Sequence, residues 1–410
     1  MFLREKKSII FSVLIIMMSI FLISAHLYAQ ENISPGTLSE VQSTGTVSKA
    51  QIRQEGLPLF NKFVIPAAQY QVQSYRIVYR SQDVDGSAAD IVAQLFVPLM
   101  KEAQERPLYV FGSGTTGIAD HCAPSRERPK EKCLGFYRGY MLAYAGQGFI
   151  SIIPDYLGFN DPDKPQRYFS KIAEAHVMLD AVRAVYDFFE KINPLIEPSQ
   201  EVFLAGYSQG GHAAFAAADM WKEYAPELPI SGIIGYGSTT DVSALFREGP
   251  YYAPHILYNY STIYPDIDPS DYLQDKWART LKEDAQRMCV DDFQRYYPYN
   301  GKLLYKPEFY TALYQRNLQS SFPTLYRRLA ENMSGLSGHG LPALIIQGEE
   351  DIIIQTPSQT NFVNQLCRMG SSVRFINLKD VRHRHTRPAG FQASILWMER
   401  IINDEDPESD

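Results

Sequence analysis

Ser208 stands between two glycines in the stretch EVFLAGYSQGGHAAF, with an apolar run before it and an alanine-rich run after it. A serine hydroxyl can act as a nucleophile when a sharp turn from strand to helix projects it from the edge of a sheet. Gly206 and Gly210 remove the side chains that would collide around such a turn. The pattern Gly-x-Ser-x-Gly alone arises by chance in on the order of one chain in ten of this length. Its position between a predicted strand and a predicted helix favours a nucleophile over an incidental serine.

A nucleophilic serine needs a base and an orienting acid, and in this arrangement the acid and then the histidine follow the serine along the chain. The predicted strand ALIIQ is followed by Glu349, Glu350 and Asp351. We predict Asp351 as the acid, because the Gly-x-x-Asp turn directs its side chain back over the strand end. The two glutamates are more typical of a solvated turn.

The base should follow the last strand, where VRFINLKDVRHRH contains two histidines. A loop of about four residues after the strand favours His383, and His385 remains the alternative. His176 and His212 lie in predicted helices, where a packed histidine is the more common situation.

The oxyanion of an acyl-transfer reaction needs two backbone N–H donors, one of them on the residue after the nucleophile. That residue is Gln209. The second donor should come from the loop after an early strand, and we predict Thr115 within GSGTTG, residues 112–117. This loop formally matches a dinucleotide-binding pattern, but no helix opens at its third glycine, so a nucleotide site is not expected.

No metal or organic cofactor is expected. The HExxH and P-loop motifs are absent, and the cysteines form no CxxC pair of the kind that binds zinc. The four cysteines permit two disulfides in any of three pairings, while free buried cysteines are the alternative for each. They are Cys122, Cys133, Cys289 and Cys367.

The elements around these residues alternate between strand and helix, which predicts an α/β fold with a mostly parallel sheet covered on both faces. YRIVYRS and DIVAQLFVP, joined by DVDGS, predict an antiparallel hairpin before it. We assign a loosely packed polar lead-in to 30–60, the two parts of the core to 61–239 and 341–403, and an acidic tail to 404–410.

The alternation stops over residues 240–340, which hold 13 of the chain's 27 tyrosines. A mostly helical insertion between late core strands is expected to form a cap above the carboxyl edge of the sheet, where ligands bind in α/β folds. An ordinary structural subdomain with packed tyrosines is the alternative.

The N-terminus combines the basic MFLREKK with an uncharged apolar run. This is typical of a signal peptide over residues 1–29, cleaved after Ala29, although an uncleaved membrane anchor is the alternative. We therefore expect a secreted or periplasmic protein with no stable membrane insertion after cleavage. The net charge of −7 and the absence of a Lys/Arg-rich tract argue against nucleic acid as a partner. Nothing in the sequence predicts an oligomeric state.

The sequence resembles the α/β-hydrolase fold and, more narrowly, exported secretory lipase-like serine hydrolases. The resemblance covers about residues 34–403 and is carried by GTTGIADHCAPS, IPDYLGFN, EAHVMLDAVRAV, GYSQGGHAA, IIQGEED and CRMGSSVRF. It implies a lipase or carboxylesterase acting on a small-molecule ester or lipid, with Ser208, Asp351 and His383 as its triad. It also suggests that Cys122 is disulfide-bonded.

Two departures from the family pattern bear on the substrate. Ser113-Gly114 replaces the His-Gly that often precedes the oxyanion threonine, and the tyrosine-rich insertion lacks a long apolar lid helix. The second departure favours soluble esters over aggregated lipid. Asp155 and Tyr156 match a pair of residues that the family has at the end of this strand. They could support the site or have a purely structural role. A peptidase or acyltransferase with the same triad, or a non-catalytic binding protein on this fold, remain alternatives.

Overall fold

The computed structural model describes residues 34–128, 134–161, 164–192 and 195–408. The predicted signal peptide and Cys133 lie outside the described residues. Among the described residues nine strands form a single sheet, in the order β1-β2-β3-β5-β4-β6-β7-β8-β9. The strands are β1 Leu38–Val47, β2 Gln71–Gln82, β3 Ala88–Leu99, β4 Gln104–Gly112, β5 Ile150–Pro154, β6 Ile196–Tyr207, β7 Ile230–Tyr236, β8 Ala343–Gly348 and β9 Val373–Leu378.

The sheet is antiparallel at one side and parallel through the rest. Strands β1, β2, β3 and β5 pair antiparallel, whereas β4 pairs parallel with β5 and β6, and the sheet continues parallel to β9. The residues of β5 and β8 are buried throughout, as continuous apolar strands covered on both faces should be. The predicted hairpin followed by a parallel sheet is confirmed.

Helices cover both faces of this sheet. They are α1 Lys49–Phe60, α2 Tyr137–Gln147, α3 Lys171–Ile192, α4 Gln209–Tyr224, α13 Thr356–Arg368 and α14 Thr386–Ile402. In α3, residues 173–182 are buried on every side, and towards the end of the helix partly exposed positions alternate with buried apolar ones. Helix α4 is alanine-rich, and its small side chains let it approach the strands closely.

The lead-in is more ordered than its polar sequence predicts. Within 30–60, which we predicted to be loosely packed, residues Leu38–Val47 form edge strand β1 and Lys49–Phe60 form α1. The prediction failed because most of β1 faces solvent, so the strand lacks an apolar alternation. A capping box does mark the start of α1, since Ser48 Oγ accepts from Gln51 N and Gln51 Oε1 accepts from Ser48 N.

A helical segment lies between β7 and β8, as predicted, and has an apolar cluster of its own. Its helices are α5 Val242–Glu248, α6 Ala253–Ile263, α7 Asp275–Ala278, α8 Leu281–Arg287, α9 Val290–Tyr296, α10 Pro307–Tyr314, α11 Leu318–Ser321 and α12 Pro323–Glu331. We call this segment the cap. None of these helices exceeds the 11 residues of α6.

Candidate active site

The turn at Ser208 joins β6 to α4 and carries backbone strain. Ser208 has φ 55° and ψ −113°, a conformation that non-glycine residues rarely adopt. A Cβ on Gly206 would lie 1.8 Å from Gly210 O, and a Cβ on Gly210 would lie 1.8 Å from Gly112 O. Only glycine fits at either position. The turn is therefore wedged against the end of β4 and holds Ser208 at the carboxyl edge of the sheet.

The structure brings Asp351 and His383 together. Asp351 follows β8, and His383 begins the short 3₁₀ turn before α14. His383 Nδ1 donates to Asp351 Oδ2 at 2.6 Å, and both side chains are buried. Backbone N–H groups of Ile353 and Ile354 donate to Asp351 Oδ1, each at 2.9 Å. The carboxylate is thus held in one orientation, and it fixes the tautomer of the imidazole.

The end of β7 connects this pair to the serine. Tyr236 O accepts from Ser208 N at 2.9 Å. At the next residue, Gly237, an added Cβ would lie 3.0 Å from His383 Nδ1 and 3.1 Å from Asp351 Oδ2. His383 Nε2 has no hydrogen-bond partner within the part of the chain that the structure describes. The second nitrogen of the ring therefore makes no hydrogen bond among the described residues that would compete with a proton acceptor role.

The alternative base and acids lie elsewhere. The ring of His385 contacts Phe63, with 5.9 Å between ring centroids. Burial lowers the pKa of His385, and the neighbouring positive charges lower it further. Glu349 and Glu350 are exposed, and Glu350 pairs with Arg382 at 3.2 Å. His385 and Glu350 thus have partners outside the pair formed by Asp351 and His383, and Glu349 lies at the surface.

The loop after β4 is packed against the serine turn. A Cβ on Gly114 would lie 2.5 Å from the ring of Tyr207, the residue before Ser208. Tyr156 OH donates to Ser113 O at 2.7 Å, so the tyrosine of the strand-end pair supports this loop. Its neighbour Asp155 accepts from Ser125 N at 2.9 Å, and burial raises the pKa of that carboxyl.

Thr115, the predicted second oxyanion donor, has a partner that the sequence did not indicate. Its hydroxyl lies 2.7 Å from Tyr168 OH, and both residues are buried. Burial raises the pKa of Tyr168 well above its usual value, so the phenol stays neutral and serves as a hydrogen-bonding group. Gln209, the other predicted donor, begins α4 and is 1% exposed.

The cap is bound covalently to the same loop. Cys122 and Cys289 form a disulfide, and Val290 N donates to Thr116 O at 2.9 Å. Gly117 and Cys289 also form an isolated antiparallel bridge. The expected bonding of Cys122 is confirmed, and its partner comes from the cap. Because the loop after β4 and the start of α9 are joined in this way, the cap lies beside the loop that contains Thr115.

Cap tyrosines reach the vicinity of the acid. Burial raises the pKa of Tyr251, and the negative charge of Asp351 contributes to that shift. Tyr251 also packs against Tyr252 and the exposed Tyr299, each at 4.7 Å between ring centroids. The tyrosine-rich segment therefore extends from the neighbourhood of Asp351 to the surface.

One group of possible metal ligands occurs among the described residues: His121 with Cys122 and Cys289. Both sulfurs belong to the disulfide, so neither is the thiolate that a zinc site requires. Within those residues no helix combines the length and apolar character needed to span a membrane.

Comparison with known proteins matches residues 140–409 to the secretory lipase family. A secreted triacylglycerol lipase of Malassezia furfur is 25% identical over 353 residues, which are 80% of this chain and 63% of that protein. Lipase A of Moesziomyces aphidis is 23% identical, over 89% of this chain and 79% of its own. The chain thus spans less than two thirds of the first of these relatives.

Two solved structures share the fold. The cell-wall-degrading esterase LipA of Xanthomonas oryzae superposes with a TM-score of 0.73 at 19% identity, covering 91% of this chain and all of its own. Lipase A of Candida antarctica superposes with a TM-score of 0.68 at 20% identity, covering 92% and 84%. At this identity the likeness concerns the fold, and it confirms the predicted α/β-hydrolase architecture.

Proposed function

The chain belongs to the secretory lipase family, and we propose that it is an exported serine hydrolase that cleaves carboxylic esters through an acyl-enzyme on Ser208. The observation that carries this proposal is the buried hydrogen bond between His383 and Asp351 beside the strained serine turn. The relatives named as secreted lipases support both the reaction class and export. The N-terminal signal-like segment supports export independently.

In the proposed reaction Ser208 Oγ attacks the ester carbonyl carbon while His383 Nε2 takes its proton. Asp351 keeps the proton on Nδ1 and stabilises the imidazolium that forms. The backbone N–H groups of Gln209 and Thr115 donate to the oxyanion. The alcohol leaves with the proton from Nε2, and a water activated by the same nitrogen then releases the carboxylic acid.

We infer that esters soluble in water are the better substrates. The cap contains only short helices in the described residues, and its tyrosine Tyr251, near enough to Asp351 to be affected by that charge, packs against the exposed Tyr299. A phenol ring combines an apolar face with a polar hydroxyl, which suits a partly hydrated acyl group or alcohol better than a long alkyl chain. The relatives named as triacylglycerol lipases make aggregated lipid the competing substrate.

Hydrolysis of p-nitrophenyl esters from acetate to palmitate tests both parts of this proposal. We expect the highest kcat/KM for the short, dissolved esters and no turnover above background for Ser208→Ala. Highest activity on palmitate, rising once that ester exceeds its solubility, would contradict the inferred substrate but not the reaction. Equal rates for wild type and Ser208→Ala would contradict the reaction itself.

A further inference from the structure

A buried Glu–His pair lies beneath the serine turn and takes no part in the proposed proton transfer. Glu174 is in α3 and His212 is in the first turn of α4, and they are 1% and 0% exposed. Glu174 Oε2 lies 2.5 Å from His212 Nδ1. Groups that can carry charge are rarely buried so completely unless each finds partners, so the remaining contacts of the pair indicate its role.

The second oxygen of Glu174 contacts the residue that follows the nucleophile. Glu174 Oε1 accepts from Gln209 Nε2 at 2.8 Å and from Phe169 N at 3.0 Å. Gln209 is the residue whose backbone N–H is assigned to the oxyanion. The side chain of Gln209 is therefore fixed by the Glu174 carboxylate. That carboxylate is held in turn by its place on α3, by the backbone N–H of Phe169 and by His212.

The second nitrogen of His212 contacts the end of the cap. His212 Nε2 lies 2.6 Å from Asn332 O, and because a carbonyl only accepts, Nε2 carries a proton. The side chain of Asn332, which follows α12, accepts from Lys171 N at 2.9 Å and donates to Tyr264 OH at 2.9 Å. The pair thus joins the serine turn to the start of α3 and to the return of the chain from the cap.

We propose that Glu174 and His212 are positioning residues that hold Gln209 so that its N–H faces the oxyanion, and that they couple this alignment to the seating of the cap. The inference rests on the proposed function. Oxyanion donors act through fixed geometry, and a displacement of about 1 Å can cost on the order of a hundredfold in rate. A contact that fixes Gln209 should therefore affect the chemical step and leave binding of the ester nearly unchanged.

Two substitutions at Glu174 separate hydrogen bonding from charge. In Glu174→Gln, the amide oxygen can accept from Gln209 and Phe169, and the amide nitrogen can donate to His212 Nδ1 when the imidazole carries its single proton on Nε2. In Glu174→Ala all of these contacts are lost. We expect Glu174→Ala to lower kcat on p-nitrophenyl butyrate about tenfold to a hundredfold with KM within about twofold. Glu174→Gln should restore kcat to within about threefold of wild type.

Asp180→Ala is the matched control, because Asp180 is a second buried carboxylate on α3. Its hydrogen bonds within the described residues go to Ser81, Arg183 and Tyr224, none of which belongs to the serine turn. Its loss should lower the melting temperature and leave kcat unchanged. Circular dichroism and thermal unfolding would establish that each variant is folded at the assay temperature.

Wild-type kcat in folded Glu174→Ala, or a raised KM at unchanged kcat, would overturn the proposal. If Glu174→Ala does not fold, Gln209→Leu removes the same contact from the other side and should show the same loss of kcat at constant KM. Unchanged kcat in that variant would likewise overturn it. Failure of the proposed function is distinct, since wild type would then show no turnover that depends on Ser208.

Discussion

At the scale of single residues, the proposed site depends on which of two neighbouring histidines meets the acid. His383 and His385 are separated by one residue in a short 3₁₀ turn, so their side chains leave it in different directions. His383 donates to Asp351, whereas the ring of His385 packs beside Phe63. Sequence spacing alone favoured His383 and left His385 as an alternative.

The two positions make a matched pair of alanine variants. We expect His383→Ala to lower kcat by about 10⁴-fold or more, because the serine then loses its base. His385→Ala should stay within about threefold of wild type, since its ring faces away from the acid. Steady-state kinetics on p-nitrophenyl butyrate measures both. The reverse order of losses would assign the base to His385.

Some contacts of the proposed site could be predicted from the sequence and others could not. Asp351 and His383 could be predicted because the carboxyl ends of parallel strands meet at one edge of the sheet. The contacts of Thr115 with Tyr168 and of Gln209 with Glu174 could not. Those pairs are 53 and 35 residues apart and depend on how a loop and two helices pack, which no local pattern encodes.

At the scale of elements, the cap has a buried group whose protonation opposes folding. His255 in α6 is fully buried, and neither ring nitrogen has a hydrogen-bond partner among the described residues. Its ring packs against Phe293 at 4.3 Å between centroids. Burial lowers the pKa of His255 to about 3, against an ordinary value near 6.5.

This depressed pKa predicts a pH dependence with a definite sign. Between pH 6.5 and 3 the unfolded chain binds a proton at His255 that the folded chain does not, so stability falls as the pH falls. At pH 5 this group should cost about 2 kcal/mol relative to pH 7. The side chain of His255→Leu cannot be protonated. Between pH 7 and pH 5 its free energy of unfolding, measured with urea, should therefore fall by about 2 kcal/mol less than that of wild type. An identical loss in both proteins would contradict the assignment.

The elements also show which parts of the fold are hard to predict. Strands β5 and β8 are continuous apolar runs and were predicted directly. Strand β1 was missed because an edge strand with most side chains in solvent carries a polar sequence. Its pairing with β2 is set by the backbone, and the register extends from Leu38 opposite Tyr79 to Val47 opposite Val72.

At the scale of the whole molecule, a disulfide joins the core to the cap in addition to the two chain connections. The Cys122–Cys289 disulfide closes 167 residues of chain that include β5, β6, β7 and much of the cap. Cross-linking residues so far apart restricts the unfolded chain strongly, since the loss of chain entropy grows with the size of the closed loop. The bond also holds the loop that carries Thr115 against the start of α9.

Removing the disulfide should therefore destabilise the protein. We expect the double variant Cys122→Ser, Cys289→Ser to lose about 2–5 kcal/mol in free energy of unfolding, measured by urea denaturation. Cys367→Ser is the matched control, because Cys367 is exposed and forms no disulfide with any described residue, and it should change stability by less than about 0.5 kcal/mol. Equal stability of the double variant and wild type would contradict a structural role for the bond.

The central claim, that Ser208 is an activated nucleophile, is tested most directly by reaction with a fluorophosphonate followed by intact-mass and peptide analysis. We predict a single adduct on Ser208 in wild type, no adduct in Ser208→Ala, and strongly slowed labelling in His383→Ala. The absence of labelling in the folded wild-type protein, or an adduct on another residue that persists in Ser208→Ala, would contradict the account.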